Sequence, residues 1–312
     1  MSTRSRRSLG LLAGFVLDAV FADPARWHPV AGFGRLAVGL EYKFWADRRR
    51  QGVTHWTVCV GSAVAGGAVL GRLVRRDAAA EVAAMALVTW SVLGGAGLTR
   101  TANALADDLE ACDLVGARRR LPSLCGRDPR ALEAAGIVRA VVESVAENTS
   151  DAVVAPLCWG ALLGIPGLIG YRAVNTLDAM VGHRSPRYVR FGWAAARADD
   201  AANLAPARLT AALFAFAAPV VGGDVRSTWK IARRDARSHP SPNGGWCEAA
   251  AAGALGVQLG GTNTYGDAVQ HRGLLGDGRP PAVTDIGRAV KLSRTVAVLT
   301  VALAVAGVSV AA

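Results

Sequence analysis

The sequence lacks the short motifs that mark several large classes of enzyme. It has no G-x-x-x-x-G-K-[S/T] phosphate loop, no G-x-G-x-x-G after a strand pattern and no H-E-x-x-H metal pair. Its five cysteines contain no C-x-x-C pair, so neither a disulfide framework nor a zinc site is indicated. Sequence repeats and Ser/Gly-rich linkers are also missing, which excludes solenoids and tandem arrays. Any nucleotide must therefore be held in another way.

Aromatic residues are scarce, at 6% of the chain, although the net charge is +11. A nucleic-acid-binding surface usually combines a basic stripe with interleaved aromatic side chains, and the arginines here lie beside apolar segments instead. Anionic lipid or an anionic substrate explains this placement better, and ordinary positive-inside flanks account for part of it. We expect no nucleic-acid partner.

Long apolar runs dominate what is present, since 52% of the residues are hydrophobic and the mean hydropathy is positive. A bilayer core of about 30 Å requires roughly 20 apolar residues in a helix. The candidate segments are residues 53–73, 78–99, 151–170, 209–223 and 292–312. Pro156, Gly164 and Pro166 interrupt the third, which favours a broken or re-entrant segment. The sequence predicts one all-α, polytopic membrane domain over residues 1–312, with four to five transmembrane or re-entrant helices and polar helical loops.

The N-terminus superficially resembles a twin-arginine or Sec signal. Arg6 and Arg7 precede an apolar stretch that ends near Ala22. Asp18 interrupts that stretch, however, and no good small-x-small cleavage site precedes Asp23. We therefore interpret the segment as part of the mature protein.

The polar loops show helical patterns and no alternating strands. Residues 101–120 carry acids first and arginines last, the order that suits a helix dipole, and predict one helix outside the bilayer. Asp128 and Pro129 predict the start of a second helix. A third short helix is expected to open after Asn243 and to end at Gly260. Any site must then be built from helix ends and turns.

Three acidic residues, Glu143, Glu147 and Asp151, are spaced four apart at the end of the second loop helix. Carboxylates at this spacing lie on one helical face and repel each other by about 0.2–0.5 kcal/mol per pair. A divalent cation bound between the carboxylates would turn this repulsion into a net attraction, and carboxylate oxygens are suitable ligands for Mg²⁺. The alternative is a solvated acidic face with arginine partners.

The next loop places Tyr171, Asn175 and Asp178 on one helical face. Asp178 is a candidate ligand for a metal or an ammonium group. Several arginines follow it, and arginine grips phosphates bidentately. These candidates are Arg184, Arg187 and Arg190. Their alternative role is that of a cytoplasmic flank.

Further polar candidates lie at helix borders and in a turn. Asp199 and Asn203 are one helical turn apart where a helix enters an apolar run, a position at which ionisable groups usually have a function. An interfacial cluster favoured by the helix dipole is the alternative. Asn243 lies in a proline-rich turn. His28 lies next to Pro29 and near a carboxylate, although a lone histidine more often has a structural role.

In their order, these motifs resemble the CobD/CbiB family of cobalamin-biosynthesis membrane proteins, the adenosylcobinamide-phosphate synthases. The resemblance covers nearly the whole chain. The matching blocks are residues 17–24, 27–35, 143–151, 171–182, 199–203, 241–246 and 259–261. So many blocks in one order make the resemblance specific.

The resemblance implies an ATP-dependent carboxylate–amine ligase, which joins the free propionate of adenosylcobyric acid to aminopropanol or aminopropanol phosphate. It implies Mg²⁺ and ATP as co-substrate, with a corrinoid as the other substrate. Roles are assigned by this analogy. The metal and ATP site would use Glu143, Glu147 and Asp151, and phosphates would be bound by Arg172, Arg184 and Arg187. Proton transfer would involve Asp178 or Asp199. Substrate amides would be oriented by Asn175, Asn203 and Asn243, and His28 is a further binding candidate.

The expected location is the cytoplasmic membrane, with a lipid bilayer and other cobalamin-assembly membrane proteins as partners. A transporter, or a regulatory protein of the AmpE type, is the alternative. A transporter would place its ionisable residues mid-span, whereas most lie in loops or at helix ends here. Because ATP chemistry requires one cytoplasmic site, residues 151–170 are predicted to be re-entrant, or the motifs to meet within the bundle.

Overall fold

The computed structural model describes residues 2–22, 28–265 and 268–310, and these are mostly helical. The all-α class is therefore confirmed. In chain order the helices and strands are α1 (Thr3–Phe21), α2 (Pro29–Phe44), α3 (Arg49–Val74), α4 (Ala78–Val92), α5 (Gly95–Glu110), α6 (Leu114–Arg120), α7 (Ala134–Thr149), α8 (Ala155–Leu163), α9 (Ile165–Leu177), α10 (Trp193–Ala217), α11 (Val225–Asp235), α12 (Gly244–Leu255), β1 (Leu259–Tyr265), β2 (Ala268–Leu275) and α13 (Val283–Val310).

Within the described ranges, four helical segments are long and apolar enough to cross a membrane. They are Arg49–Val74, Ala78–Glu110, Trp193–Val221 and Val283–Val308. Each overlaps one of the runs predicted from hydropathy, so the polytopic membrane architecture follows from sequence. The remaining run, residues 151–170, is interrupted as expected. It contains the π turn Ser150–Val154, helix α8 and the start of α9, with Gly164 at φ +67° between the two helices.

The helical loops differ from their predictions in detail. The single helix expected over residues 101–120 is wrong, because α5 ends at Glu110 and α6 begins only at Leu114, where the Asp113 side chain caps it. Asp128 does cap a helical turn, but that turn is a 3₁₀ turn over Pro129–Ala131. Helix α7 begins at Ala134.

Strands β1 and β2 form an antiparallel hairpin that corrects the expectation of no strands. Helix α12 ends at Leu255, so the Gly260–Gly261 pair starts a strand and does not end a helix. A bulge lies between these two glycines. The glycine-rich strand lacks the alternation by which strands are recognised in sequence. Contacts with distant residues stabilise it instead, as described below.

The chain divides into two compact units, of which the first comprises Met1–Gly94, Asp151–Asn203 and Thr300–Ala312. An apolar core of this unit lies among α2, α3, α9 and the start of α10, and includes Ala37, Cys59, Leu177 and Phe191. Helices α1 and α4 approach closely because glycine on α1 meets side chains on α4, as small residues permit in membrane bundles.

The second unit comprises Gly95–Ser150 and Leu204–Leu299. Helix α12 is buried along its whole length except at Trp246, and it packs against α7 and α11. An alanine-rich helix buried on all sides allows its neighbours to approach closely. Glu248 is the only ionisable residue of that helix apart from Cys247, so its surroundings decide its charge.

Candidate functional site

A compact polar group lies in the first unit, and we call it the aspartate–amide cluster. Its members are Asp151, Tyr171, Asn175, Asp199 and Asn203. The Asn175 amide Nδ2 donates to Asp199 Oδ1 at 3.3 Å and to Asp151 Oδ2 at 3.4 Å. Asn203 Nδ2 donates to Asp199 Oδ2 at 3.1 Å, and the Tyr171 hydroxyl donates to Asn203 Oδ1 at 2.9 Å.

Helical spacing explains most of this cluster. Tyr171 and Asn175 lie one turn apart on α9, and Asp199 and Asn203 lie one turn apart on α10, so each pair shares a face. Pro206 has no N–H, which leaves the Ala202 carbonyl without its usual helical donor. The Trp159 indole donates to that carbonyl at 3.1 Å.

The negative charge of Asp199 is not neutralised by a cationic side chain described in its unit. Both oxygen atoms of this half-buried carboxylate accept hydrogen bonds from neutral amides, and Asp199 forms no ion pair with a described side chain of its unit. A second carboxylate, Asp151, shares the Asn175 amide. Two carboxylates around one amide favour a cation. The arrangement suits an ammonium group or a hard metal ion.

A cavity of about 230 Å³ lies in the same unit, lined by α2, α3, α4 and α9. Its walls are mostly apolar, with Phe33, Val88 and Ile169 among them, and Arg172 is the charged residue that lines it. Arg172 NH1 lies 3.5 Å from Asn175 Oδ1, and its Nε has no hydrogen-bond partner in the described chain. One arginine thus connects the cavity to the aspartate–amide cluster.

A second polar group, in the second unit, is built on Glu143. This buried carboxylate forms an ion pair with the buried Arg127 and accepts the Gly260 N–H at 2.7 Å. Arg139, one turn before it, donates to the carbonyls of Gly260 and Thr262 at 2.6 and 2.8 Å. Helix α7 therefore anchors the start of strand β1.

This second group extends to three more residues. We call the whole group the glutamate–arginine network, and its members are Arg127, Arg139, Glu143, His239, Glu248 and Arg272. Arg272 NH1 donates to His239 Nε2 at 2.9 Å and lies 3.8 Å from Glu248. Burial, and then the Arg272 charge, lower the pKa of His239 to about 4, so its ring is neutral. Burial, and then the charges of Glu143 and Glu147, raise the pKa of Glu248 well above its ordinary value.

Glu147 lies beside the start of α12. A Cβ on Gly244 would lie 2.8 Å from Glu147 Oε1, so any other residue there would require the Glu147 side chain to move. The N-terminus of a 12-residue helix favours a nearby carboxylate through its unsatisfied N–H groups and its dipole. This placement gives Glu147 an electrostatic partner other than a metal.

The metal site at Glu143, Glu147 and Asp151 stays a prediction, and the surroundings of Glu143 and Asp151 do not favour it. No three acidic, histidine or cysteine side chains in the described ranges lie close enough together to hold a metal ion. The oxygens of Glu143 are occupied by Arg127 and the Gly260 amide. Asp151 lies in a π turn, where the four-residue spacing behind the prediction changes.

The other predicted residues have varied surroundings. Arg187 is paired with Glu41 at 2.8 Å and stacks over Trp45, so its guanidinium ties a loop to α2. Arg184 is exposed, and the Asp178 carboxylate lies against Gly182 at the end of a π turn. Of the predicted phosphate-binding arginines, Arg172 therefore has the surroundings that best fit a substrate.

Two further candidates have local structural contacts. His28 Nδ1 accepts the Val30 N–H at 3.2 Å and caps α2, which agrees with its structural interpretation. Asn243 Oδ1 accepts a hydrogen bond from Arg208 at 3.3 Å. Residues 23–27, including Asp23 and Trp27 of the resemblance blocks, lie outside the described residues.

Sequence reasoning missed the cations of the glutamate–arginine network. Arg127 lies 16 residues before Glu143, and Arg272 lies 33 residues after His239. No helical period connects positions so far apart. The alternative considered for the acidic face, arginine partners, agrees with the structure at Glu143, although this carboxylate is buried and not solvated.

Comparisons with known proteins agree with the sequence motifs. The family profile "CobD/Cbib protein" matches residues 11–293. A "Cobalamin biosynthesis protein CobD" from Mycobacterium tuberculosis is 55% identical over 95% of this chain and 94% of the relative. Proteins of the same name from Geobacter metallireducens and Rhodobacter capsulatus are 47% and 42% identical, over 82% and 86% of this chain and 82% and 85% of the relatives.

No solved structure matches the chain. The profile match and the curated relatives each cover most of the sequence, and they include both the Asp199 block and the Asn175 block. The chain belongs to the CobD/CbiB family of cobalamin-biosynthesis proteins.

Proposed function

We propose that this membrane protein is an ATP-dependent ligase that joins adenosylcobyric acid to aminopropanol or aminopropanol phosphate. The observation that carries the proposal is the Asp199 carboxylate, held by two neutral amides beside a second carboxylate. The acceptor brings an ammonium group that must be bound and then deprotonated. Because ATP is cytoplasmic, we place the protein in the cytoplasmic membrane.

The proposed chemistry has two steps. The propionate oxygen of adenosylcobyric acid attacks the terminal phosphorus of ATP, and ADP leaves. The amine nitrogen then attacks the acyl carbon, the bond to phosphate breaks, and phosphate leaves as the amide forms. An amine is nucleophilic only after it loses a proton, and we assign Asp199 as the group that accepts it.

The surroundings of Arg172 support a place for the rest of the acceptor. An ammonium group at Asp199 would lie near Asn175, and Arg172 reaches the same amide from the wall of the apolar cavity. A phosphate would pair with the guanidinium, which grips phosphates well. The carbon skeleton would contact the apolar walls. This arrangement favours the phosphorylated acceptor.

Mg²⁺ and ATP are parts of the proposal. Mg²⁺ normally keeps several waters and binds through one or two protein carboxylates together with substrate phosphates, so a three-carboxylate cage is not required. Asp151 and Asp199 are the described pair that share one amide. Mg²⁺ held by Asp151 and the nucleotide phosphates would offset the phosphate charge and would leave Asp199 to the ammonium group.

Mass spectrometry of the purified protein in nanodiscs tests the reaction, with adenosylcobyric acid, aminopropanol phosphate, ATP and Mg²⁺. The wild type should form adenosylcobinamide phosphate and ADP. Asp199→Asn should lower kcat by about 100-fold or more, since general bases typically contribute 10²–10⁴-fold. The neighbouring Asp200→Asn is the matched control and should retain most activity.

The outcomes separate the parts of the proposal. No product from the folded wild type would contradict the ligase. Full activity in Asp199→Asn would keep the ligase and remove Asp199 from the site. If Asp199 were chiefly a metal ligand, excess Mg²⁺ would restore the activity of the Asp199→Asn variant. If Asp199 accepts the proton, kcat of the variant would stay low in excess Mg²⁺ and its pH–rate profile would differ from that of the wild type.

A further inference from the structure

A second cavity in the first unit has a different character. It encloses about 340 Å³ and is lined by residues from α1, α3, α4 and the junction between α8 and α9. Three arginines line it, Arg7, Arg72 and Arg75, together with apolar side chains such as Ile165. We call it the arginine cavity. Its volume is within the range of small-ligand sites.

The positive charge of the arginine cavity is not neutralised by the acids near it. Glu81 lines the cavity, but its carboxylate is paired with Arg6 at 3.0 Å. The Asp77 carboxylate accepts the N–H groups of Ala79 and Ala80 and caps α4. A cavity with this charge balance complements an anion.

The three cavity arginines differ in how firmly they are held. Arg7 NH1 donates to the carbonyls of Ala161 and Leu162 at 3.0 and 3.2 Å, which fixes its guanidinium at the end of α8. Arg72 and Arg75 are exposed and form no hydrogen bond or ion pair with the described part of the chain. One cation is thus prepositioned, and two are available to close on a ligand.

The position of the cavity along α3 indicates the source of the anion. Helix α3 ends at Val74, and it is one of the segments long enough to cross a membrane, with most of its apolar stretch not buried in the protein. Arg72 and Arg75 are therefore at the membrane border. Val69 and Leu73, on the same helix, are 52% and 73% exposed, so this end of α3 carries apolar surface that lipid can cover.

We propose that the arginine cavity binds the headgroup of an anionic phospholipid. The phosphate would lie among the three arginines, and the acyl chains would run along the exposed apolar surface of α3. Ordinary positively charged flanks attract anionic lipid without a cavity. Here the fixed Arg7 and a cavity of about 340 Å³ supply a defined position. This site does not depend on the ligase reaction.

Native mass spectrometry of the full-length protein in detergent tests the proposal, with phosphatidylglycerol and phosphatidylcholine of identical acyl chains. Phosphatidylglycerol should remain bound to the wild type, and phosphatidylcholine should not. Arg72→Gln/Arg75→Gln should weaken phosphatidylglycerol binding by roughly 10- to 30-fold, because each cation near a membrane surface contributes on the order of 1 kcal/mol.

Matched variants keep the test specific. Arg48→Gln/Arg50→Gln removes the same charge at the other end of α3 and should leave binding unchanged. Arg72→Lys/Arg75→Lys keeps the charge and should retain most binding, which shows that the helix end is intact. Equal losses in both Gln pairs, or equal binding of the two lipids, would overturn the site. Displacement of the lipid by excess inorganic phosphate would contradict the proposal of a lipid site and would assign the cavity to a soluble phosphate.

Discussion

The aspartate–amide cluster and the glutamate–arginine network both contain carboxylates, but the carboxylates have different hydrogen-bond partners. In the network, Glu143 is buried against Arg127, and a backbone N–H takes its other oxygen. In the cluster, Asp199 is held by two neutral amides. An arginine partner neutralises the negative charge of a carboxylate. A neutral amide partner fixes the position of the carboxylate but leaves its negative charge available to a cation. From this difference we propose a structural role for Glu143 and, in keeping with the proposed function, substrate contact for Asp199.

The largest expected effect of this difference is on stability at Glu143. Glu143→Gln removes the carboxylate that pairs with the buried Arg127, and breaking a buried ion pair by removing one partner typically costs about 3–5 kcal/mol. Thermal unfolding in nanodiscs should show a large fall in Tm. Asp199→Asn, which lowers activity in the proposed reaction, should shift Tm much less.

Two controls sharpen the result for Glu143. Glu133→Gln removes an acid that is 86% exposed and lies 3.7 Å from Arg118, so its effect should be within about 0.5 kcal/mol. Arg127→Met/Glu143→Leu removes both charges and should recover much of the lost stability. A Glu143→Gln protein as stable as the wild type, with greatly reduced activity, would reverse the assignment of the two groups.

The second expected effect concerns Arg172. Arg172→Gln should raise the KM for aminopropanol phosphate by roughly 10- to 100-fold, because hydrogen bonds to charged groups contribute about 1.5–3 kcal/mol. The KM for unphosphorylated aminopropanol should change little. Arg187→Gln is the matched control, since Arg187 is already paired with Glu41. Equal KM increases for both acceptors would show that Arg172 does not contact the phosphate.

The two groups also differ in how far sequence predicts them. Asp199 and Asn203, and Tyr171 and Asn175, are one turn apart on single helices, so helical spacing alone places each pair on one face. Glu143 and Arg127 meet because a loop before α7 folds back, and no period encodes that contact. Spacing therefore predicted the acidic face, but not the cation that occupies it.

The same distinction applies to the fold. Hydropathy predicted α3 and the helical part of residues 209–223, because a membrane helix satisfies its own backbone and needs only apolar length. The β1–β2 hairpin was not predicted. Its first strand depends on hydrogen bonds from Arg139 and to Glu143, and these residues are more than 100 positions away.

The smallest expected effect is a pH dependence of stability that arises from His239 in the glutamate–arginine network. Its pKa is lowered to about 4 by burial and the Arg272 charge, below the ordinary 6.5, so the unfolded chain binds more protons than the folded protein between these values. Stability from this residue is complete above about pH 6.5 and is lost as the pH falls towards 4. Between pH 7 and 5.5 the loss should be about 1 kcal/mol.

Glu248 contributes with the opposite sign, since its pKa is raised and its contribution is lost as the pH rises above its ordinary value. The difference between wild type and His239→Gln therefore isolates the histidine, because glutamine keeps a neutral acceptor for Arg272. Unfolding in nanodiscs from pH 7 to 5 should show a shallower decline in the variant. The exposed His183→Gln should retain the wild-type slope, and identical slopes in all three proteins would mean that His239 gains no proton on unfolding in this range.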